Sequence, residues 1–152
     1  MIVEKDRALL EALCEFLCKN GCVGNVSDYD GVPVMVMEYT DNESDLPEFF
    51  KISVEHFAEN TAQICILQTM FSDLNEQQVK EVIKKIPDMN RYLTFGSFGV
   101  DRFNRSVYFS CALDIAYLAD SLPICFTVSF DRSRHAATEG VLELMPIISS
   151  NE

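Results

Sequence analysis

The sequence predicts a single α+β domain in which helices at the N-terminus, middle and C-terminus cover an antiparallel sheet, in the order α–β(3–4)–α–β2–α. Three observations predict it. Apolar residues recur at spacings of three and four near both ends of the chain and once in its middle, the period of a helix with one buried face. Between these stretches lie runs that alternate apolar and polar residues, the period of a strand with one face in water. Short turn signals, Asp30-Gly31 and Asp101–Asn104, separate consecutive runs, and strands joined by short turns pair antiparallel.

Leu9, Leu10, Leu13, Phe16 and Leu17 form one stripe, which predicts a helix over roughly residues 4–20 with Gly21 as its stop. Cys22–Tyr29 reads as a short strand diluted by a glycine and polar residues, and Val32–Thr40 as a strand rich in Val, Met and Tyr. Asp41–Glu48 gathers acids with Pro47 and reads as an exposed loop. Phe49–Phe57 alternates Phe50, Ile52 and Val54 with Lys51, Ser53 and Glu55; after a turn at Glu59-Asn60-Thr61, Gln63–Phe71 sets Ile64, Ile66 and Met70 on one face.

The middle helix is predicted to start with Asp73 as its cap and Glu76 three residues on, to bury Val79, Val82, Ile83 and Ile86, and to end at Pro87. Tyr92–Val100 reads as a strand in which Gly96 and Gly99 mark a bulge or a close packing contact. Ser106–Ile115 follows with Val107, Phe109, Cys111, Leu113 and Ile115 on one face. In Pro123–Phe130 β-branched and aromatic residues favour a strand, but Phe126, Phe130, Ala137, Val141 and Leu144 keep one helical face to about residue 146. The longer period decides for helix, at a cost of about 1 kcal/mol for Gly140 relative to Ala. The chain of 152 residues shows no linker, repeat or low-complexity tract, and residues 1–152 read as one domain.

The order of elements resembles the YbjN-like family, whose fold is shared with class I type III secretion chaperones. The likeness rests on the acidic, short chain, on the hairpin from Asp30-Gly31-Val32 to Phe50-Lys51-Ile52 with its acidic loop before a paired-aromatic strand, on the capped middle helix, on the second hairpin around Asp101-Arg102-Phe103-Asn104, and on the closing helix. It implies a type III secretion chaperone-like fold and a non-enzymatic bacterial protein, often dimeric, that binds peptide segments of partners. The stretch Ala62–Phe71 departs from that pattern as an extra or lengthened strand.

The formal net charge is −12, from 24 acids against 12 Lys+Arg. Such a surface repels phosphate backbones and anionic membranes, which argues against nucleic-acid and membrane partners. No run approaches the ~20 apolar residues of a membrane span, and Met1–Arg7 lacks the basic start and apolar run of a secretory signal. Six cysteines with apolar neighbours, in a chain whose 48% hydrophobic content can build a core, read as reduced thiols in a cytoplasmic protein.

No catalytic, cofactor or metal site is expected. Cys14, Cys18 and Cys22 are spaced by four, wider than paired zinc ligands, and Cys65, Cys111 and Cys125 are isolated. His56 shares an apolar strand face and His135 lies in a charged run, so neither is set for a Cys–His nucleophile. Asp41–Asp45 superficially resembles a calcium loop, but Leu46 and Ile52 occupy the positions of its glycine and its bidentate acid. Arg102, Arg105, Arg132 and Arg134 read as surface ion pairing, with convergence on an anion as the alternative. Val32–Tyr39 is apolar on both faces, so one face meets the helices and the other needs a second cover. Met35, Met37 and Tyr39 are assigned to a partner interface, with a protein or peptide segment or a second copy as occupant, and burial under another helix as the alternative. The expected function is protein binding, chaperone-like or regulatory. A pocket-bearing enzyme or small-ligand sensor, or a thiol sensor using Cys14 and Cys18, is the alternative.

Overall fold

A computed structural model describes residues 2–40, 46–58, 61–115 and 122–150. Along the chain come α1 (Ile2–Lys19), β1 (Cys22–Tyr29), β2 (Val32–Thr40), β3 (Pro47–Ala58), β4 (Thr61–Phe71), α2 (Glu76–Asn90), β5 (Ser97–Asp101), β6 (Ser106–Asp114) and α3 (Leu122–Ser149). The strands form one antiparallel sheet in the order β1-β2-β3-β4-β6-β5. The α+β reading, with helices at both ends and in the middle, is the architecture observed.

Register makes the two faces of the sheet different. One row runs across all six strands as Gly24, Met37, Phe50, Gln68, Phe109 and Phe98. All three helices reach it from the same side. Cys14 of α1 directs its Sγ at Met37 Sδ (3.8 Å) and at the Gly24 carbonyl (3.7 Å). Phe130 of α3 packs on Phe50 with ring centroids 4.3 Å apart, and Ser133 donates to Gln68 Oε1 at 3.3 Å. Asn90, at the end of α2, accepts from the Phe98 N–H (2.7 Å) and donates to its carbonyl (2.9 Å). Leu10, Leu13 and Leu17 of α1, Val79, Val82 and Met89 of α2, and Phe126, Ala137 and Leu144 of α3 complete this core.

Residues 123–130 are helical against their strand propensity because Phe126 and Phe130, four apart, both bury on the sheet. Thr127 sits in this helix by donating its hydroxyl to the Pro123 carbonyl at 2.8 Å. At Gly140, an added Cβ would lie 2.5 Å from the Phe98 ring and 2.6 Å from the Met70 methyl. The glycine therefore lets α3 approach β4 and β5 closely. Asp30 and Gly31 both take positive φ (51° and 80°), the two-residue turn that suits a hairpin's twist.

Several boundaries differ from the sequence expectation. The α2 cap is Asn75, not Asp73: Asn75 accepts from the Gln78 N–H at 2.8 Å, and Gln78 Oε1 accepts from the Asn75 N–H at 2.9 Å. The displacement follows from Leu74, which is buried in the core and whose N–H donates to the Arg105 carbonyl, leaving Asp73 in a left-handed turn (φ 57°). Pro87 does not end α2, which continues to Asn90; a missing N–H in the last turn costs little once Met89 is buried and Asn90 is bonded to Phe98. The fifth strand starts at Ser97, not Tyr92. Gly96 and Gly99 do mark close packing, since a Cβ would fall 2.4 Å from the Phe109 ring at the first and 2.5 Å from the Tyr108 ring at the second. The expected strand boundary at Phe49 moves to Pro47; the acidic stretch 41–45 and the turn residues 59–60 lie outside the described residues.

Gly140→Ala separates close packing from helix propensity. The substitution gains about 1 kcal/mol of propensity. It inserts a methyl where overpacking costs about 1–3 kcal/mol. Thermal unfolding should show a lower midpoint than wild type; a higher midpoint would mean that α3 does not need this approach.

Candidate protein-binding surface

The helices leave the opposite face of the sheet open. Three rows cross it by register: Val23, Glu38, Phe49, Thr69 and Tyr108; then Asn25, Val36, Lys51, Leu67, Ser110 and Ser97; then Ser27, Val34, Ser53, Cys65 and Ala112. Over β1–β3 this face exposes Val23, Tyr29, Val32, Val36 and Phe49, with Val23 73% exposed. Over β3–β6 it forms a shallow trough of about 460 Å³ with a floor of small side chains, Ser53, Cys65, Ser110 and Ala112, between Lys51 and Glu55. An apolar shelf thus lies beside a trough edged by Lys51 and Glu55.

Met35 and Met37 are not on this face. Both are fully buried, at 0% exposure, beneath α1, and Tyr39 is covered by the Arg134 guanidinium 4.0 Å above its ring. The assignment of Met35, Met37 and Tyr39 to a partner interface is corrected accordingly: the chain's own helices cover them. The other side of β2 exposes Val32 and Val36, with the buried Val34 between them. The two-residue turn at Asp30-Gly31 is the sequence signal for this. It pairs Ser27 with Val34 and Asn25 with Val36, so polar neighbours flank the valines, while Val26 joins Met35.

Burial first, then the thiols of Cys18 and Cys22, push the Cys14 thiol from 9.0 to about 11. Burial raises Cys111 to about 12, and burial with the Glu55 carboxylate raises Cys65 to about 11. All six cysteines are free. His56 Nε2 lies 2.8 Å from Asp6 Oδ2, whereas His135 is exposed and pairs with Glu139 at 3.3 Å, so the two histidines serve separate surface contacts. No cluster of three or more His, Cys, Asp or Glu able to hold a metal ion occurs among the described residues. None of the helices among them is long and apolar enough to cross a membrane.

Polar side chains do converge beside one cavity, a feature the sequence did not reveal. Glu48 accepts from Arg134 Nε at 2.6 Å and from Gln68 Nε2 at 3.2 Å, at the edge of a groove of about 480 Å³ between α3 and the ends of β3 and β4. The groups satisfy one another, and the rest of the lining is largely apolar, including Met70, Phe71, Leu142 and Met145. They clamp α3 to the sheet by charge-assisted bonding. The four arginines do not converge: Arg132 stacks 4.3 Å from the Phe95 centroid and Arg134 serves the clamp, while Arg102 and Arg105 share a groove with α2. Compared with protein-family models and with curated proteins, the chain matches none.

The raised Cys65 thiol gives a measurable pH dependence on the open face. A shift from 9.0 to about 11 leaves roughly a hundredfold less thiolate near pH 7.5 than an ordinary thiol has. Alkylation of Cys65 by iodoacetamide, followed by peptide mass spectrometry, should therefore be slow in the folded protein at pH 7.5 and speed up with pH to beyond 10. Alkylation at neutral pH as fast as in the urea-unfolded chain would show that the thiol is not suppressed.

Proposed function

We propose that the chain is a non-enzymatic protein-binding module, chaperone-like or regulatory, that takes a segment of another protein on the open face of its sheet. The observation that carries this reading is the one-sided cover: three helices on one face, and Val23, Val36 and Phe49 left in water on the other. Burying such side chains yields roughly 1.5–3 kcal/mol each before association costs. The trough favours a convex occupant, such as a helix or an extended strand of a partner, over a second copy, whose own trough would bow away from it. The resemblance to the YbjN-like family and to secretion chaperones supports peptide binding as the activity. The acidic surface and the six free cysteines suit a bacterial cytoplasmic protein.

The test compares wild type with the double variant Val23→Asp, Phe49→Asp. Proteins retained by each from the native cell extract are identified, purified and titrated back. At least one should bind wild type directly and bind the variant at least about tenfold more weakly, a loss of roughly 1.4 kcal/mol or more, with circular dichroism unchanged. If the variant binds every retained protein as wild type does, the open face is not the binding surface.

A further inference from the structure

The exposed cations of this acidic chain are not spread evenly. Of 12 Lys+Arg, Lys80, Lys84, Arg102 and Arg105 line one groove of about 540 Å³ between the outer side of α2 and the β5–β6 turn. Two carboxylates share it, Glu76 and Glu81, and Glu81 is already engaged by Lys84 at 2.8 Å. Lys80, Arg102 and Arg105 form no ion pair among the described residues. The groove is thus locally positive in a chain of net charge −12.

It also has apolar surface and a fixed wall. Val79 and Ile83 line it between the cations. Phe103, flanked by the two arginines' turn, is 93% exposed. Nothing in the fold requires a phenyl ring there. The turn itself is held by Asp101, whose carboxylate accepts from the Phe103 and Asn104 N–H groups at 2.9 and 3.1 Å and from Asn104 Nδ2 at 2.7 Å. These bonds to the Asn104 and Phe103 donors hold the Asp101 carboxyl below its ordinary range. The Arg105 carbonyl accepts from the Leu74 N–H at 3.1 Å, which ties the turn to the approach of α2. The two walls are therefore set before any ligand arrives, which lowers the ordering cost of binding.

We propose that this groove is a second docking surface, independent of the open sheet face, and that its occupant is an acidic segment of a partner protein carrying interspersed apolar side chains. Charge complementarity selects the acids: the unpaired guanidinium groups offer forked donors to carboxylates, and Lys80 adds a point charge. Val79 and Ile83, which line the groove, select the apolar side chains, and Phe103, exposed on the turn between Arg102 and Arg105, adds a ring beside it. A duplex is disfavoured, because its charges repeat every ~1.7 Å and would run past the groove onto acidic surface. A short acidic segment stays within about one Debye length, ~8 Å at physiological salt, of the local cations.

The probe is a short fluorescein-labelled peptide alternating Glu with Leu, titrated with the full chain by fluorescence anisotropy. Saturable binding is expected. It should weaken at least about tenfold with Gln in place of Glu in the peptide, with the variant Arg102→Glu, Arg105→Glu, and on raising salt from about 50 to 500 mM. Phe103→Ser should weaken it by a smaller factor, and Lys19→Glu, a charge change on α1, should leave it unaltered. Thermal unfolding of each variant confirms an intact fold, and where the double variant is unstable Lys80→Glu takes its place with the same expectation. The proposal is overturned by an absence of saturable binding, by equal affinity for the Gln peptide, by Lys19→Glu weakening binding as much as the arginine variant, or by inorganic phosphate or a DNA duplex displacing the peptide at equal or lower concentration than an unlabelled copy.

Discussion

Everything in this fold depends on one row of residues, Gly24, Met37, Phe50, Gln68, Phe109 and Phe98, that crosses all six strands and meets every helix. Because α1, α2 and α3 all descend on it from the same side, each strand must present apolar residues at alternate positions to that side and is free to present others to water. The row mixes contact types. Met37 and Phe50 supply dispersion and aromatic packing, Phe98 supplies a backbone pair to Asn90, and Gln68 supplies an amide that Ser133 and Glu48 bond. That buried amide fixes where α3 lies along the sheet in a way that apolar contacts alone do not.

The one-sided arrangement has a consequence for the surface. A six-stranded sheet covered on a single face leaves its other face to solvent, and here that face is neither uniformly polar nor uniformly apolar. It carries valines and a phenylalanine over β1–β3 and small polar residues with Lys51 and Glu55 over the trough. The acidic surplus elsewhere keeps such a chain soluble by self-repulsion. Meanwhile Lys80, Arg102 and Arg105, which form no ion pair among the described residues, gather beside α2. Two surfaces of different chemistry, one mixed apolar and polar and one basic, thus lie on a scaffold in which burial raises the Cys14, Cys65 and Cys111 thiols.

Much of the fold was legible because alternation survives in β3 and β6 and because the helical stripes of α1 and α2 are clean. The last helix was legible only over its full length: residues 123–130 alone read as strand, and Phe126 with Phe130 decides for helix once Ala137 and Leu144 are counted with them. The cap at Asn75 was missed because Asp73 and Glu76 offer the same spacing, and only the burial of Leu74 chooses between them. The face of β2 was missed for a related reason. With Val on one side and Met on the other, hydrophobicity cannot tell core from surface, and the deciding fact is register against Asn25 and Ser27. The clamp of Glu48 and Arg134 joins residues 86 apart in sequence, which no local pattern reports.

Adjacent substitutions on β2 test the two-faced sheet most directly. Met37 is at 0% exposure beneath α1 and Val36, its neighbour, is 38% exposed beside Lys51 on the open face. An aspartate at the first position buries an unpaired charge, a cost of several kcal/mol against a typical domain stability of about 5–15 kcal/mol. At the second it meets water and the Lys51 ammonium, so the cost is about 1 kcal/mol or less. Urea unfolding of Met37→Asp and Val36→Asp should show the first unfolded or severely destabilised and the second close to wild type. The reverse order, or equal losses, would contradict the placement of the helices and with it the open face.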